Sequence, residues 1–197
     1  MDKKLVTLSK FLCMILRHRP EEIGVMLDEN GWVDVDELIE LSGENLGVNF
    51  TKDEIRQMMQ ENDKPRFSFN KDETKIKANY GHSVPVDLAL EPATPPEILY
   101  HGTAIRFLDN LQKEGIVRRA RNYVHLSGDE ETALEVGARH GKPIVLVVQT
   151  GQMAKDGFTF FKTNDDTWLT EKVPKQYVDF PDFDFFKNAF KSDAPEL

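Results

Sequence analysis

The 197-residue sequence contains a single cysteine, Cys13, which lies in an apolar helical pattern. One cysteine excludes a disulfide framework and a cysteine-rich zinc site, and it fits a reducing compartment. No apolar run approaches the roughly 18 to 20 residues that span a bilayer, and the N-terminal residues 1–4 lack the apolar segment of a secretion signal. These absences predict a cytoplasmic protein with no membrane partner.

The sequence also lacks a net positive charge. The 25 Lys and Arg residues are outnumbered by 34 Asp and Glu, for a formal net charge of -9. This balance argues against a generally basic nucleic-acid coat and against a polybasic membrane binder. Any anionic partner must therefore be held by a local cluster of cations. The hydrophobic content of 40% is nevertheless sufficient for a folded core.

Several enzyme motifs are missing as well. The sequence has no G-x-S-x-G, no P-loop and no G-x-G-x-x-G, so it lacks the signature motifs of serine hydrolases, Walker-type NTPases and Rossmann enzymes. It has no H-E-x-x-H and no cluster of carboxylates and histidines, so we expect no catalytic metal. The chemistry is predicted to be metal-free and rich in arginine.

Residues 1–92 have the pattern of three helices and a hairpin, which is typical of a winged helix. The predicted features, in chain order, are an N-cap at Thr7 for a helix that Pro20 stops, a short strand at Gly31–Val35, an N-cap at Asp36, a capping box from Thr51 to Glu54, and strands at Arg66–Phe69 and Lys75–Ala78.

Prolines from Pro92 to Pro96 predict a linker, and the pattern changes after it. Residues 93–180 alternate strands with two helical segments, which predicts an α+β lobe, and residues 181–197 form an aromatic and acidic tail expected to pack on that lobe. The predicted elements are strands at Ile98–Tyr100, Tyr123–Leu126, Ile144–Val148, Phe158–Phe161 and Thr167–Leu169, with helices around 104–113 and 129–139.

Arginines stand at three points where an element begins or ends. Arg17 and Arg139 occur at predicted helix ends, each beside a histidine, and Arg66 begins a strand. Such residues can be solvated side chains favoured by the helix dipole. They can also bind phosphate, because the planar guanidinium stays charged and can donate to two oxygens.

Three further segments combine a histidine with a hydroxyl, and the first two also hold an adjacent glycine. The glycine can let a ligand approach the backbone, and the hydroxyl supplies a short hydrogen-bonding group, although a strand histidine can also be an ordinary core residue. The segments are Gly81-His82-Ser83, His101-Gly102-Thr103 and His125-Leu126-Ser127.

In their order and spacing these motifs resemble the RNA 2'-phosphotransferases, also called tRNA 2'-phosphotransferases, over about residues 5–178. The resemblance implies an N-terminal winged-helix RNA lobe and a C-terminal lobe of the ADP-ribosyltransferase fold that binds NAD. It is carried by Leu16-Arg17-His18, Gly31-Trp32-Val33, Asp63-Lys64-Pro65-Arg66-Phe67, Gly81-His82-Ser83, Tyr100-His101-Gly102-Thr103, Val124-His125-Leu126-Ser127, Gly137-Ala138-Arg139-His140-Gly141, Trp168-Leu169 and Val173-Pro174.

The resemblance also implies a reaction on 2'-phosphorylated, tRNA-like RNA, as at a splice junction, catalysed by a monomer. The 2'-phosphate first attacks the NAD ribose carbon that bears nicotinamide, giving 2'-phospho-ADP-ribosylated RNA. The ribose 2''-hydroxyl then attacks phosphorus, releasing 2'-hydroxyl RNA and ADP-ribose 1'',2''-cyclic phosphate, so NAD is consumed as a co-substrate. The main alternative is a mono-ADP-ribosyltransferase that stops after the first step, on phosphorylated nucleic-acid ends or protein. A second alternative is a non-catalytic winged-helix module that binds nucleic acid or senses NAD.

Site residues follow from the same resemblance. His18 is expected either to contact phosphate as imidazolium or to move the proton of the 2''-hydroxyl, and Tyr80 stands where relatives commonly have glutamine. No glutamate follows Val147-Val148-Gln149, which fits a nucleophile that is already an anion. The implied roles are catalytic for Arg17, His18, Arg66 and Arg139, NAD-binding for His101, Gly102, Thr103, His125 and Ser127, and RNA-phosphate-binding for His82, Ser83 and Arg121.

Overall fold

The structure, a computed structural model, describes residues 2–163 and 166–181. Within these residues it has six α-helices, eleven short strands and three turns of 3-10 helix. The helices are α1 (Lys3–Arg17), α2 (Val35–Leu46), α3 (Lys52–Glu61), α4 (Leu108–Glu114), α5 (Glu130–Ala138) and α6 (Thr150–Lys155). The strands are β1 (Val33–Asp34), β2 (Phe67–Phe69), β3 (Lys75–Ala78), β4 (Leu99–Ala104), β5 (Ile116–Val117), β6 (Val124–Ser127), β7 (Pro143–Val148), β8 (Phe160–Lys162), β9 (Thr167–Thr170), β10 (Lys172–Val173) and β11 (Val178–Asp179).

This mixture of helix and sheet confirms the α+β class. The chain divides into two compact units that are not contiguous in sequence, because two later segments belong with the N-terminal one. Of the predicted tail 181–197, residues 182–197 lie outside the described residues. Within the described residues, unit 1 comprises 2–93, 118–124, 159–163 and 166–171, and unit 2 comprises 94–117, 125–158 and 172–181.

The first helix of unit 1 begins earlier than its sequence pattern predicts. Its N-cap is Asp2, and Thr7 lies inside α1, where its hydroxyl donates to the Lys3 carbonyl at 2.9 Å. The predicted cap at Thr7 is therefore wrong, because the preceding residues contain no helix breaker and the helix gains a further turn. The predicted stop is confirmed, since α1 ends at Arg17 and Pro20 opens a 3-10 turn.

Of the N-caps predicted for the next two helices, one is wrong and one is confirmed. Asp34 caps α2, because its carboxylate accepts from the backbone N–H groups of Asp36 at 2.9 Å and Glu37 at 3.0 Å. Asp36, the predicted cap, instead lies in the first turn. The capping box of α3 is confirmed, with Thr51 and Glu54 each accepting from the other's backbone N–H.

The predicted hairpin is also present. Strands β2 and β3 pair antiparallel with Phe67 opposite Ala78, and β1 lies on the other edge of β3. One face of α1 supplies much of the core beneath this three-stranded sheet, and a second hairpin, β8–β9, also belongs to unit 1. The fully buried core side chains of unit 1 include Leu12, Ile15, Leu16, Ile23, Leu38, Ile55, Met58 and Ile76.

Unit 2 is built on the long antiparallel pair β4 and β7, in register from Leu99 opposite Val148 to Ala104 opposite Pro143. Strand β11 flanks β7, and β6 flanks β4 through the pair Tyr100 and Ser127. Helix α5 lies against β4 and β7, with glycine at the contact. Strands β5, β10 and β11 and helix α6 are too short to leave a sequence pattern and were not predicted. No helix in the described part of the chain is long and apolar enough to cross a membrane.

Candidate functional site

Arg17, the last residue of α1, has an unusual environment in unit 1. Its guanidinium carbon lies 4.9 Å from the ring centroid of Tyr80 and 5.9 Å from that of Phe67. Its Nε and Nη2 atoms are buried and have no hydrogen-bond partner among the described residues. Buried N–H groups of a cation normally have an acceptor, so this side chain has unused capacity for an anion.

The loop after β3 is built to accommodate this arginine. Gly81 has a φ of +86°, and a Cβ there would lie 3.3 Å from Nη1 of Arg17. The left-handed φ therefore favours glycine, and the absence of a Cβ also leaves the guanidinium unobstructed on this side. The next residues return to the helix end, where the backbone N–H of Ser83 donates to the Arg17 carbonyl at 2.8 Å.

His18 follows at the C-terminus of α1 and is exposed. Its Nδ1 lies 2.9 Å from Oγ of Ser83, a hydrogen-bonding distance. Partial desolvation of the ring lowers the pKa of His18, and the nearby charges of Arg17, Arg121 and Arg19 lower it further. The imidazole is thus neutral at pH 7, in a region of positive potential.

His82, in the same loop, is 2% exposed, and neither ring nitrogen has a hydrogen-bond partner among the described residues. Burial, followed by the charges of Arg17, His18 and Lys77, lowers the pKa of His82 to about 4. Asn122 fastens this loop from a distant part of the sequence, donating from its backbone to the His82 carbonyl and from its side chain to the Val84 carbonyl, both at 3.0 Å. No sequence signal pointed to Asn122.

Arg66, at the start of the hairpin, approaches the same region. Its Nη1 donates to Oδ1 of Asn62 at 2.6 Å. Burial raises the pKa of the Cys13 thiol, and the charges of Arg17 and Arg66 oppose that rise, so both arginines lie close to this one side chain. The residues that unit 1 brings together are thus Arg17, His18, Arg66, His82, Ser83 and Arg121.

In unit 2 the predicted residues His101, Gly102 and Thr103 lie on β4, and His125 and Ser127 lie on the adjacent strand β6. Nδ1 of His101 donates to the His125 carbonyl at 3.2 Å, which leaves the Nε2 lone pair of His101 as an acceptor. Burial lowers the pKa of His101, and the charge of His140 also lowers it, against an opposing effect of the hydrogen bond to His125. His101 is therefore a neutral imidazole at pH 7. Thr103 is buried beside it in β4.

Gly102 serves the packing of α5. A Cβ at this position would lie 1.6 Å from the Ala133 carbonyl oxygen, and a Cβ on Gly137 would lie 2.6 Å from the carbonyl oxygen of Thr103. Helix and strand therefore meet backbone to backbone at these two glycines. Ligand binding at Gly102 stays a prediction.

Arg139 is exposed at the C-cap of α5, so it belongs to unit 2, whereas Arg17, His18 and Arg66 belong to unit 1. Convergence of all four on one phosphate stays a prediction. Among the described residues no group of three or more His, Cys, Asp or Glu side chains could hold a metal ion.

Comparison with known proteins shows which family this chain belongs to. The model of the RNA 2'-phosphotransferase, Tpt1 / KptA family matches residues 3–172. The chain is 47% identical over 174 residues to a "Probable RNA 2'-phosphotransferase" of Flavobacterium johnsoniae, covering 88% of this chain and 95% of the relative. It is 46% identical to proteins of the same name from Escherichia coli O6:K15:H31, covering 91% and 97%, and Burkholderia pseudomallei, covering 88% and 94%. Because the family match and these relatives span nearly all of the described chain, the protein belongs to the RNA 2'-phosphotransferase family.

Proposed function

We propose that this protein removes an internal 2'-phosphate from RNA, with spliced, tRNA-like RNA as the substrate class and NAD consumed as co-substrate. The observation that carries the proposal is Arg17, a cation with two buried nitrogens that have no acceptor among the described residues. The names of the relatives indicate a 2'-phosphate on RNA, and the buried N–H donors of Arg17 suit that phosphate. Spliced, tRNA-like RNA is what the sequence resemblance implies.

The surroundings of Arg17 suit a phosphate dianion. The cation–π contact with Tyr80 restrains the guanidinium before the ligand arrives, and the exposed His18 adds a neutral hydrogen-bonding group without adding negative charge. A group fixed in advance loses little entropy on binding. A protein of net charge -9 can thus hold RNA through a small cationic site.

The donor set in unit 2 fits the sugar end of NAD. The neutral His101 and the hydroxyls of Thr103 and Ser127 can hydrogen-bond to ribose hydroxyls and a carboxamide, and His125 lies beside them on β6. Helix α5 fills the space on the Cβ side of Gly102, so any contact of this residue with NAD would use its backbone N–H or C=O. When bound, NAD supplies the electrophilic ribose carbon, with nicotinamide as the leaving group.

The residues of the chain then have two tasks. In the first step the RNA phosphate is already an anion, so no strong base is required. The side chain after the end of β7 is not a base either: it is Gln149, which donates to Oδ2 of Asp179 at 2.7 Å. In the second step negative charge grows on the phosphorus oxygens. We assign its stabilisation to Arg66 and Arg139, an effect worth about 2.7 to 4 kcal/mol for one donor in other enzymes.

The test is incubation of the protein with NAD and an RNA bearing one internal 2'-phosphate. We expect 2'-hydroxyl RNA, nicotinamide and ADP-ribose 1'',2''-cyclic phosphate, with no reaction on the same RNA lacking the 2'-phosphate. Accumulation of ADP-ribosylated RNA with no cyclic product would identify a mono-ADP-ribosyltransferase instead. Absence of any NAD-dependent product would overturn the proposal.

Matched variants separate the roles of the arginines. Arg17→Ala is expected to abolish phosphate removal, whereas Arg19→Ala should retain it, since Arg19 is exposed and pairs with Glu22 at 3.3 Å. Arg66→Ala and Arg139→Ala should slow the second step more than the first, so that the ADP-ribosylated RNA becomes detectable. Equal loss of both steps in these two variants would contradict their assignment.

A further inference from the structure

We propose that Ser83 is a positioning residue for His18: its hydroxyl donates to Nδ1, so that the neutral imidazole offers Nε2–H as a hydrogen-bond donor to the RNA phosphate. The contact between His18 and the RNA phosphate rests on the proposed function. The Ser83–His18 arrangement is a property of the free protein and can be tested without substrate.

The direction of the hydrogen bond follows from the competition for the single hydroxyl proton of Ser83. Oγ lies 2.9 Å from Nδ1 of His18 and 3.4 Å from the Arg17 carbonyl oxygen. That carbonyl already accepts two backbone N–H groups, from Ser83 at 2.8 Å and from Val84 at 3.3 Å. With both lone pairs of the carbonyl engaged and the imidazole nitrogen closer, the hydroxyl donates to Nδ1.

The backbone fixes where this hydroxyl lies. The left-handed turn at Gly81 reverses the chain, and the two N–H bonds to the Arg17 carbonyl join the loop to the residue that precedes His18. Asn122 holds the loop from the other side through the carbonyls of His82 and Val84. The donor and the ring that it orients are thus held by the same helix end.

Electrostatics make the tautomer matter. The charged groups around His18 are Arg17, Arg121 and Arg19, which together with desolvation keep the ring neutral at pH 7. A neutral imidazole has one N–H and one lone pair, and the partner of Nδ1 decides which nitrogen carries the proton. With Nδ1 accepting from Ser83, Nε2 carries the proton on an exposed side chain. His18 then holds a phosphate oxygen, and it is not the base that deprotonates the 2''-hydroxyl.

The direct test is NMR of the free protein at pH 7 with ¹⁵N- and ¹³C-labelled histidine. We expect the long-range couplings of His18 to show protonated Nε2, with an Nδ1 resonance displaced by an accepted hydrogen bond. Ser83→Ala should remove that displacement, whereas Ser83→Thr, which keeps the hydroxyl, should preserve it. The control is Ser68→Ala in the same unit, on β2 opposite Lys77.

Activity then tests the consequence. Ser83→Ala is expected to lower kcat by about tenfold, the equivalent of one hydrogen bond, with little change in KM for NAD, while Ser83→Thr and Ser68→Ala stay near the wild type. Protonated Nδ1 in the wild type, or an Nδ1 resonance unchanged in Ser83→Ala, would overturn the arrangement. Full kcat in Ser83→Ala would overturn its role in the reaction. If the NMR results hold and the wild type processes no 2'-phosphate, the proposed function fails and the arrangement stands.

Discussion

Gly102→Ala is a sharp test of what positions α5, because the added methyl group meets backbone atoms only. Its Cβ would lie 1.6 Å from the Ala133 carbonyl oxygen, 2.5 Å from the carbonyl carbon and 3.0 Å from the Gly137 nitrogen. To reach an ordinary contact of 3.4 Å the carbonyl oxygen must move by roughly 1.8 Å, and it belongs to a helix turn that cannot rotate away as a side chain can. The helix itself must therefore shift.

The cost is expected to reach or exceed the upper end of the range for overpacked cores, about 3 kcal/mol in the free energy of unfolding. In a strand with ordinary dihedrals, the same change without a clash would instead stabilise the protein by about 0.4 to 1 kcal/mol. The sign of the effect is thus decided by α5. Since Arg139 is the C-cap residue of that helix, the second step of the proposed reaction should also become slower.

Urea unfolding followed by circular dichroism measures the effect, with the midpoint compared at constant m-value. Gly43→Ala is the matched control, because it also lies at an ordinary φ and its Cβ would meet only the end of a flexible side chain, Oδ1 of Asn49 at 3.0 Å. We expect this control to be neutral or stabilised by up to about 1 kcal/mol. A Gly102→Ala protein with the wild-type midpoint would refute the packing argument. Loss of NAD binding in such a protein would instead support the predicted NAD-binding role of this glycine.

Three further predictions concern unit 1. The folded-state pKa of His82 is about 4, below the ordinary 6.5, so the unfolded state binds more protons between these pH values. The unfolding free energy should therefore fall by about 3 kcal/mol from pH 6.5 to pH 4. In His82→Phe the urea midpoint should lose this dependence on pH, and an equal dependence in the variant and the wild type would contradict the prediction. Asp34→Ala should cost about 1 kcal/mol in thermal unfolding and Asp36→Ala clearly less, since only Asp34 caps α2; the reverse order would count against that cap. Tyr80→Phe should retain activity and Tyr80→Ala should lose it, because the ring face holds Arg17, and equal activity of the two would show that stacking is dispensable.

The extent to which sequence predicted structure is clear at the helix caps. The box of Thr51 and Glu54 was predictable because both partners are local and their spacing specifies the bonds. Asp34 and Asp36 have equal capping chemistry, so only the path of the chain from β1 into α2 decides between them. The helix that packs against Gly102 was not predictable for a similar reason. A glycine's sequence context does not show whether a ligand or a helix approaches it.

The local patterns of this sequence were sufficient for the α+β class, for the three helices and hairpin of unit 1, and for naming Arg17, Arg66 and Arg139 as candidate phosphate ligands. These depend on periodicity, turn chemistry and the donor geometry of arginine, all of which are local properties. Tertiary structure alone decided that Arg17 stacks on Tyr80 with unsatisfied nitrogens, that Asn122 fastens the loop, and that Ser83 meets His18. The Arg17–Tyr80 and His18–Ser83 contacts join residues more than sixty positions apart, and Asn122 lies about forty positions from the loop that it holds. No local pattern encodes which distant side chain will fill a given space.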